Sequence, residues 1–201
     1  MSCIIVLGCY RSGTSAVAGI LQHLGVVMGK NFDPPTQNNM SGYWEDVDFK
    51  NLHAKFDAGE ADGNPELSME YMDLFHKREQ EFELWGLKDP LLCTNLPRFV
   101  NCLTTDSKLI VCRRNTHEIA TSMAKALKEK NHLRFVPLAE FYVESMNKNL
   151  LNYRGPILEM DHGHTISNPD FHINRIANFL SLPVTKKAMT YIKKKTDRRK
   201  G

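Results

Sequence analysis

Eight residues near the start of the chain, Gly8-Cys-Tyr-Arg-Ser-Gly-Thr-Ser15, set two glycines four residues apart and surround them with hydroxyls and one guanidinium. With Thr14-Ser15 after the second glycine, the register is that of G-x-x-x-x-G-K-[ST], with threonine in the lysine place. Backbone N–H groups of such a turn, together with the positive end of a following helix, form an anion site whatever the side chains are. In nucleoside-triphosphate-hydrolysing loops the lysine reaches the terminal phosphates and the last hydroxyl holds Mg²⁺. Here the cation nearest to hand is Arg11, whose planar fork can make two hydrogen bonds to one anion. The candidate anion-binding set is therefore Arg11, Ser12, Gly13, Thr14 and Ser15.

A second constellation follows the apolar run that ends at Cys112. Arg114 sits where a strand should end, a helix N-terminus comes next, and Ser122 lies about two turns into that helix. Charge, helix dipole and hydroxyl can then address a single phosphate. The neighbouring Arg113 is expected to take a surface or ion-pair role. Lys88, beside Asp89, reads either as a site residue or as one half of a surface ion pair. Among the acidic and titratable residues, Glu45, Asp46, Asp48 and His53 are candidate proton acceptors, and a carboxylate at a helix start also favours the dipole. His162-Gly-His164 offers two imidazoles in a polar loop, too few for a zinc site, and no metal is expected.

These pieces resemble one family. Tyr10-Arg-Ser-Gly-Thr14, followed by Ser15, is similar to the 5′-phosphosulfate loop of sulfotransferases that use 3′-phosphoadenosine 5′-phosphosulfate (PAPS), where K-S-G-T-T or R-S-G-T-T is usual. Arg114 and Ser122, eight residues apart, fit that family's 3′-phosphate signature. Trp85-Gly-Leu-Lys-Asp-Pro90 resembles its strand-end K-D-P element, with Leu91 where bacterial sequences often have Arg. Asn38-Asn-Met-Ser-Gly-Tyr-Trp-Glu45 is similar to the N-P-R-G-Y-[FW]-E stretch of bacterial and phage-type members, with Asn-Met-Ser in place of Asn-Pro-Arg. Ile157–Asp161, Asn168-Pro169 and Ile176–Leu180 resemble the strand and helix that close the family's domain. Asp197-Arg-Arg-Lys-Gly201 is similar to an R-K-G element that contacts the 3′-phosphate, without the residues that normally follow it.

The resemblance implies sulfuryl transfer from PAPS to an acceptor oxygen or nitrogen, with adenosine 3′,5′-bisphosphate (PAP) as product. It implies Arg11 and the loop amides at the leaving phosphate, Lys88 at the bridging region, Glu45 as the base, Arg114 and Ser122 at the 3′-phosphate, and no metal. The acceptor is left open between small molecules, glycans and peptide hydroxyls, with a small molecule or glycan expected.

The elements that must position these residues are readable from periodicity. Cys3 to Leu7 is a continuous apolar, β-branched run ended by Gly8, as in a buried parallel strand. Apolar residues at helical spacing predict a helix from Thr14 to Leu24, with Gly25 as the stop. Residues 26 to 46 lack a period and predict a long loop over the sheet edge. Helix-permissive stretches cover Asp46 to about Phe56 and Glu66 to Glu83, and Leu84 to Leu87 predicts a short strand. LLCTNLPRFV is helix-like apart from Pro97. Lys108 to Cys112 predicts a second buried strand, and Asn115-x-x-Glu118 has the capping-box spacing for a helix from Thr116 to about Lys130. A helix over Leu138 to Asn152, a strand over Ile157 to Met160, and a helix capped at Asn168 with Pro169 first complete the βα alternation. The expected fold is a single α/β domain spanning residues 1 to 201, with a parallel sheet of the phosphate-loop type flanked by helices.

Composition bounds the rest. At 201 residues with 42% hydrophobic and 24% charged residues, the chain suits one compact domain. No stretch approaches a membrane span or a signal segment, and five cysteines without a C-x-x-C pair suit a reducing compartment, so a cytoplasmic protein with no membrane partner is expected. The net charge of +3 is uneven, because residues 186 to 200 carry eight Lys/Arg and one acid. That tail is expected to be solvated or disordered, and with a single aromatic, Tyr191, among its lysines it is not expected to bind nucleic acid. Two other readings stay open: a Mg-dependent kinase or NTPase with Ile157–Asp161 as its acid-ended strand, and a non-catalytic binder of 3′-phosphorylated nucleotides. Oligomeric state is unreadable.

Overall fold

The computed structural model describes residues 2–36, 42–59, 64–99 and 107–197. Four parallel strands, β1 (Ser2–Leu7), β2 (Leu84–Lys88), β3 (Lys108–Arg113) and β4 (Ile157–Asp161), form one sheet in the order β2-β1-β3-β4. Helices follow as α1 (Thr14–Leu24), α2 (Val47–Asp57), α3 (Pro65–Glu81), α4 (Leu92–Phe99), α5 (Thr116–Leu127), α6 (Val136–Leu150), α7 (His162–Ser167), α8 (Pro169–Leu180) and α9 (Lys186–Asp197). The expected single α/β domain with a helix-flanked parallel sheet is the fold observed.

Strand alternation divides the interior in two. Cys3, Ile5 and Leu7 of β1, with Leu109 and Val111 of β3, point to a core shared by α2 to α6. Ile4, Val6, Ile110 and Cys112 point to the opposite core, built from α1, α8 and α9. Both faces of β1 are covered, which explains a run with no polar residue in it. Cys9 and Cys112 are buried, and burial pushes both thiols up to about 12.

The loop after α1 runs along the free edge of β2, as its composition suggested. Val27 donates to Leu84 and accepts from Gly86, at 3.2 and 2.9 Å. In α4, Pro97 cannot donate to the carbonyl of Cys93, one turn back. Asn149 Nδ2 of α6 supplies that hydrogen bond instead, at 2.8 Å, and so the proline stays inside the helix.

Some local expectations are corrected. Residues 162–164 form no polar loop: Asp161 accepts from the His164 amide at 2.9 Å and starts α7. Asn168 precedes α8, but its side chain makes no cap hydrogen bond. Helix α5 stops at Leu127, where Lys128 turns left-handed at φ 56°. The basic tail is helical through Asp197, because Ala188 and Ile192 are buried against α1. The R-K-G element, residues 38–41, Val100 and Cys102 lie outside the described residues.

Candidate functional site

Loop and sheet meet at one place. Strand β1 connects towards β2 on one side and β3 towards β4 on the other, so the crevice between the carboxyl ends of β1 and β3 is the topological switch point where open α/β sheets bind ligands. The 8–15 loop leaves β1 at that crevice, and Arg114 leaves β3 beside it.

Two left-handed residues give the loop its curl: Arg11 at φ 67° and Gly13 at φ 98°. Holding a non-glycine residue such as Arg11 there costs about 1–3 kcal/mol, a strain that recurs at ligand-binding turns. Ser12 fixes the turn by directing both its amide (3.1 Å) and its hydroxyl (2.6 Å) at the Cys9 carbonyl, so its donors shape the loop from within. Gly13 begins α1 without a side-chain cap, leaving that helix start to backbone donors. A Cβ at Gly13 would lie 2.8 Å from His162 Cδ2, so the ring packs closely beneath the loop. Thr14 is buried and Ser15 half-buried.

The Arg114 half of the site closes on this loop. Arg11 Nε donates to Ser122 Oγ at 3.1 Å, and Arg114 Nη1 donates to the Arg11 carbonyl at 2.8 Å, bridging residues 111 and 103 positions apart. Burial pushes the Arg11 guanidinium below its usual range; Tyr43 opposes this and Arg114 adds to it. Two cations held this close, with a hydroxyl between their elements, form a cradle suited to an anion. Asn115 Oδ1 accepts from the amides of His117 and Glu118, while the Glu118 carboxylate turns to Arg114 Nε at 3.0 Å. Arg113 takes the expected ion-pair role, 2.7 Å from Glu159.

At the end of β2, Lys88 pairs with Glu45. Lys88 is 2% exposed, so the surface pair with Asp89 does not form. Asp89 instead bonds His53 Nδ1 at 2.9 Å and accepts from the Leu91 amide at 2.9 Å. Asp46 caps α2, accepts from the Lys30 amide at 3.0 Å, and pairs with Arg78 at 3.1 Å. Asp48 also pairs with Arg78, at 2.8 Å. Of the four candidate proton acceptors, Glu45 is the one set against Lys88; Asp46, Asp48 and His53 are engaged in holding the elements on either side. Nothing in the local pattern pointed to Arg78, a buried cation within a polar helix whose charge pattern matches a solvated face.

No family model and no curated protein matches this chain by sequence. Solved structures do match. The sulfotransferase domain of the Synechococcus olefin synthase is similar at a TM-score of 0.62 and 16% identity, covering 95% of this chain and 77% of that one. The sulfotransferase domain from the curacin biosynthetic pathway gives 0.57 at 15% identity, over 95% and 78%. A sulfotransferase from Mycobacterium tuberculosis gives 0.54 at 14% identity, over 94% and 70%. The chain has the sulfotransferase fold.

Proposed function

We propose that the protein is a sulfotransferase that moves a sulfuryl group from PAPS to a hydroxyl or amine of a small-molecule or glycan acceptor, releasing PAP. The observation that carries this reading is the Arg11–Ser122 and Arg114–Arg11 bonding across the β1/β3 crevice. It joins in space two motif halves that the resemblance to PAPS-dependent enzymes had assigned to one nucleotide. The fold shared with known sulfotransferases supports it further.

In this reading Arg114 and Ser122 hold the 3′-phosphate, and the 8–15 loop with Arg11 holds the 5′-phosphate. PAPS, when bound, supplies the activated sulfuryl group. Glu45, at the rim with 13% of its side chain exposed, accepts the proton of the acceptor hydroxyl on a carboxylate oxygen. Lys88, buried beside it, presents its ammonium to negative charge that develops during transfer, in a setting where desolvation strengthens the interaction. As the acceptor oxygen bonds to sulfur, the bond from sulfur to the 5′-phosphate oxygen breaks, and the electron pair leaves on PAP beside Arg11 and the loop amides. Asp161 is occupied in starting α7, which leaves the kinase reading with Thr14 in place of its lysine and no carboxylate assigned to Mg²⁺.

Thermal stabilisation by adenosine 3′,5′-bisphosphate in EDTA, against ATP with Mg²⁺, tests the reading. Ligand at about 100 times its dissociation constant should add about 2.7 kcal/mol. A metal-free shift that Arg114→Ala abolishes and Arg113→Ala leaves intact is the expected result. A shift with Mg-ATP alone would overturn it in favour of a kinase.

A further inference from the structure

Helix α9 carries one aromatic residue that reaches across α1 to the segment holding Glu45. The Tyr191 ring lies over Gly19, where a Cβ would come within 2.1 Å of the phenol oxygen, so the approach requires glycine. Its hydroxyl is 3.1 Å from the carbonyl of Ser15, in the first turn of α1. The same oxygen is 3.3 Å from the indole nitrogen of Trp44. Indole N–H only donates and a carbonyl only accepts, so the direction of the chain is fixed: Trp44 N–H to Tyr191 oxygen, Tyr191 O–H to Ser15 carbonyl. Donors and acceptors linked in series strengthen one another.

Trp44 immediately precedes Glu45 and has a left-handed backbone at φ 60°. Its ring is boxed in by Phe32 at 5.6 Å, His23 at 6.2 Å and Tyr191 at 6.3 Å between centroids. Tyr191 in turn leans on His23 of α1 at 5.0 Å. Both sides of the site are thereby referred to one helix: the 8–15 loop runs into α1, and Trp44 is tied to it.

We propose that Tyr191 is a positioning residue, whose phenol pins Trp44, and through it Glu45, to the helix that follows the 8–15 loop. Its part in catalysis rests on the sulfotransferase reading; the pinning itself does not. Anion binding at the loop is felt through this link in residues 42–47.

The test is amide hydrogen exchange with and without adenosine 3′,5′-bisphosphate, on wild type and Tyr191→Phe, which keeps the ring and loses the hydroxyl. Exchange over residues 42–47 should rise about tenfold in the variant, while β1, β3 and the bisphosphate dissociation constant stay within about threefold. Bisphosphate should slow exchange over 42–47 in wild type and not in the variant. In a Trp85→Phe background, where Trp44 is the only indole, Tyr191→Phe should red-shift the emission. Trp44→Phe should reproduce the exchange change and carries the test if Tyr191→Phe does not fold. Unchanged exchange over 42–47 in the folded variants would overturn the proposal. A wild type that binds no bisphosphate would overturn the function proposed above, while the ligand-free comparison would still judge the link.

Discussion

At the scale of single residues, the Glu45–Lys88 pair is asymmetric, and the asymmetry is measurable. Lys88 is buried and Glu45 lies at the rim, so removing the carboxylate strands a buried ammonium, whereas removing the ammonium leaves a carboxylate that water can reach. Breaking a buried pair from one side costs about 3–5 kcal/mol. Glu45→Gln should therefore lower stability in urea denaturation by more than Lys88→Met does. In the proposed reading Glu45→Gln should cut transfer by roughly 10²–10⁴-fold, the range for a lost proton-transfer group, and Lys88→Met by roughly 10²–10³-fold, the range for a lost charge-stabilising donor, while bisphosphate binding survives. Equal destabilisation by the two changes would contradict the burial argument. The sequence made both residues candidates, but through resemblance for their roles; that they touch each other was not readable from positions 43 residues apart.

Among the elements, α2 and α3 act as a brace for the residues on either side of that pair. Asp46 follows Glu45 and Asp89 follows Lys88, and each is held from a helix, by Arg78 of α3 and His53 of α2 respectively. Arg78→Met would leave Asp46, 2% exposed, without its cation, at a cost of about 3–5 kcal/mol. Asp46→Asn in the same chain should restore part of that loss: the buried charge is gone and the amide oxygen still accepts from the Asp48 amide that caps α2, while Nδ2 then faces the Lys30 amide, which the second carboxylate oxygen had served. Chemical denaturation of the single and double variants checks this, and a double variant no better than Arg78→Met alone would show that packing dominates. Helix periodicity located both helices, while the pairing between them depended on contacts that no local pattern encodes.

For the whole molecule, the packing of α8 under the sheet makes stability depend on pH. His172 is 2% exposed, and its Nδ1 has no hydrogen-bond partner among the described residues. Burial lowers its pKa, Arg175 and His164 add to the effect, and Asp161 opposes it. The unfolded chain then binds the proton first as pH falls, starting near the ordinary value of about 6.5. The stability supplied by the neutral ring is complete above that value and is lost as pH drops towards the lower folded pKa. Urea denaturation at pH 7.5 and 5.5 should show a larger loss for wild type than for His172→Met, which cannot titrate. An identical loss in both would assign the acid sensitivity to other groups, among them His23, which burial and Lys187 also push down.

The sequence by itself determined most of the local elements and the two motifs read as an anion site. β1 and α1 were legible to within a residue because a strand buried on both faces leaves an unbroken apolar run, and a helix with a covered face leaves a 3.6-residue period. The basic tail misled for the same reason in reverse: lysines dominate its composition, yet Ala188 and Ile192 are buried and, with Tyr191 over Gly19, dock it on α1. Tertiary structure alone decided the strand order, and with it the crevice where Arg11, Ser122 and Arg114 meet. It also decided that Arg78, Tyr191 and His53 are structural partners of the site. Side-chain pairing across more than a helical turn is fixed by how whole elements pack, and that packing minimises the energy of the entire chain, so no short stretch records it.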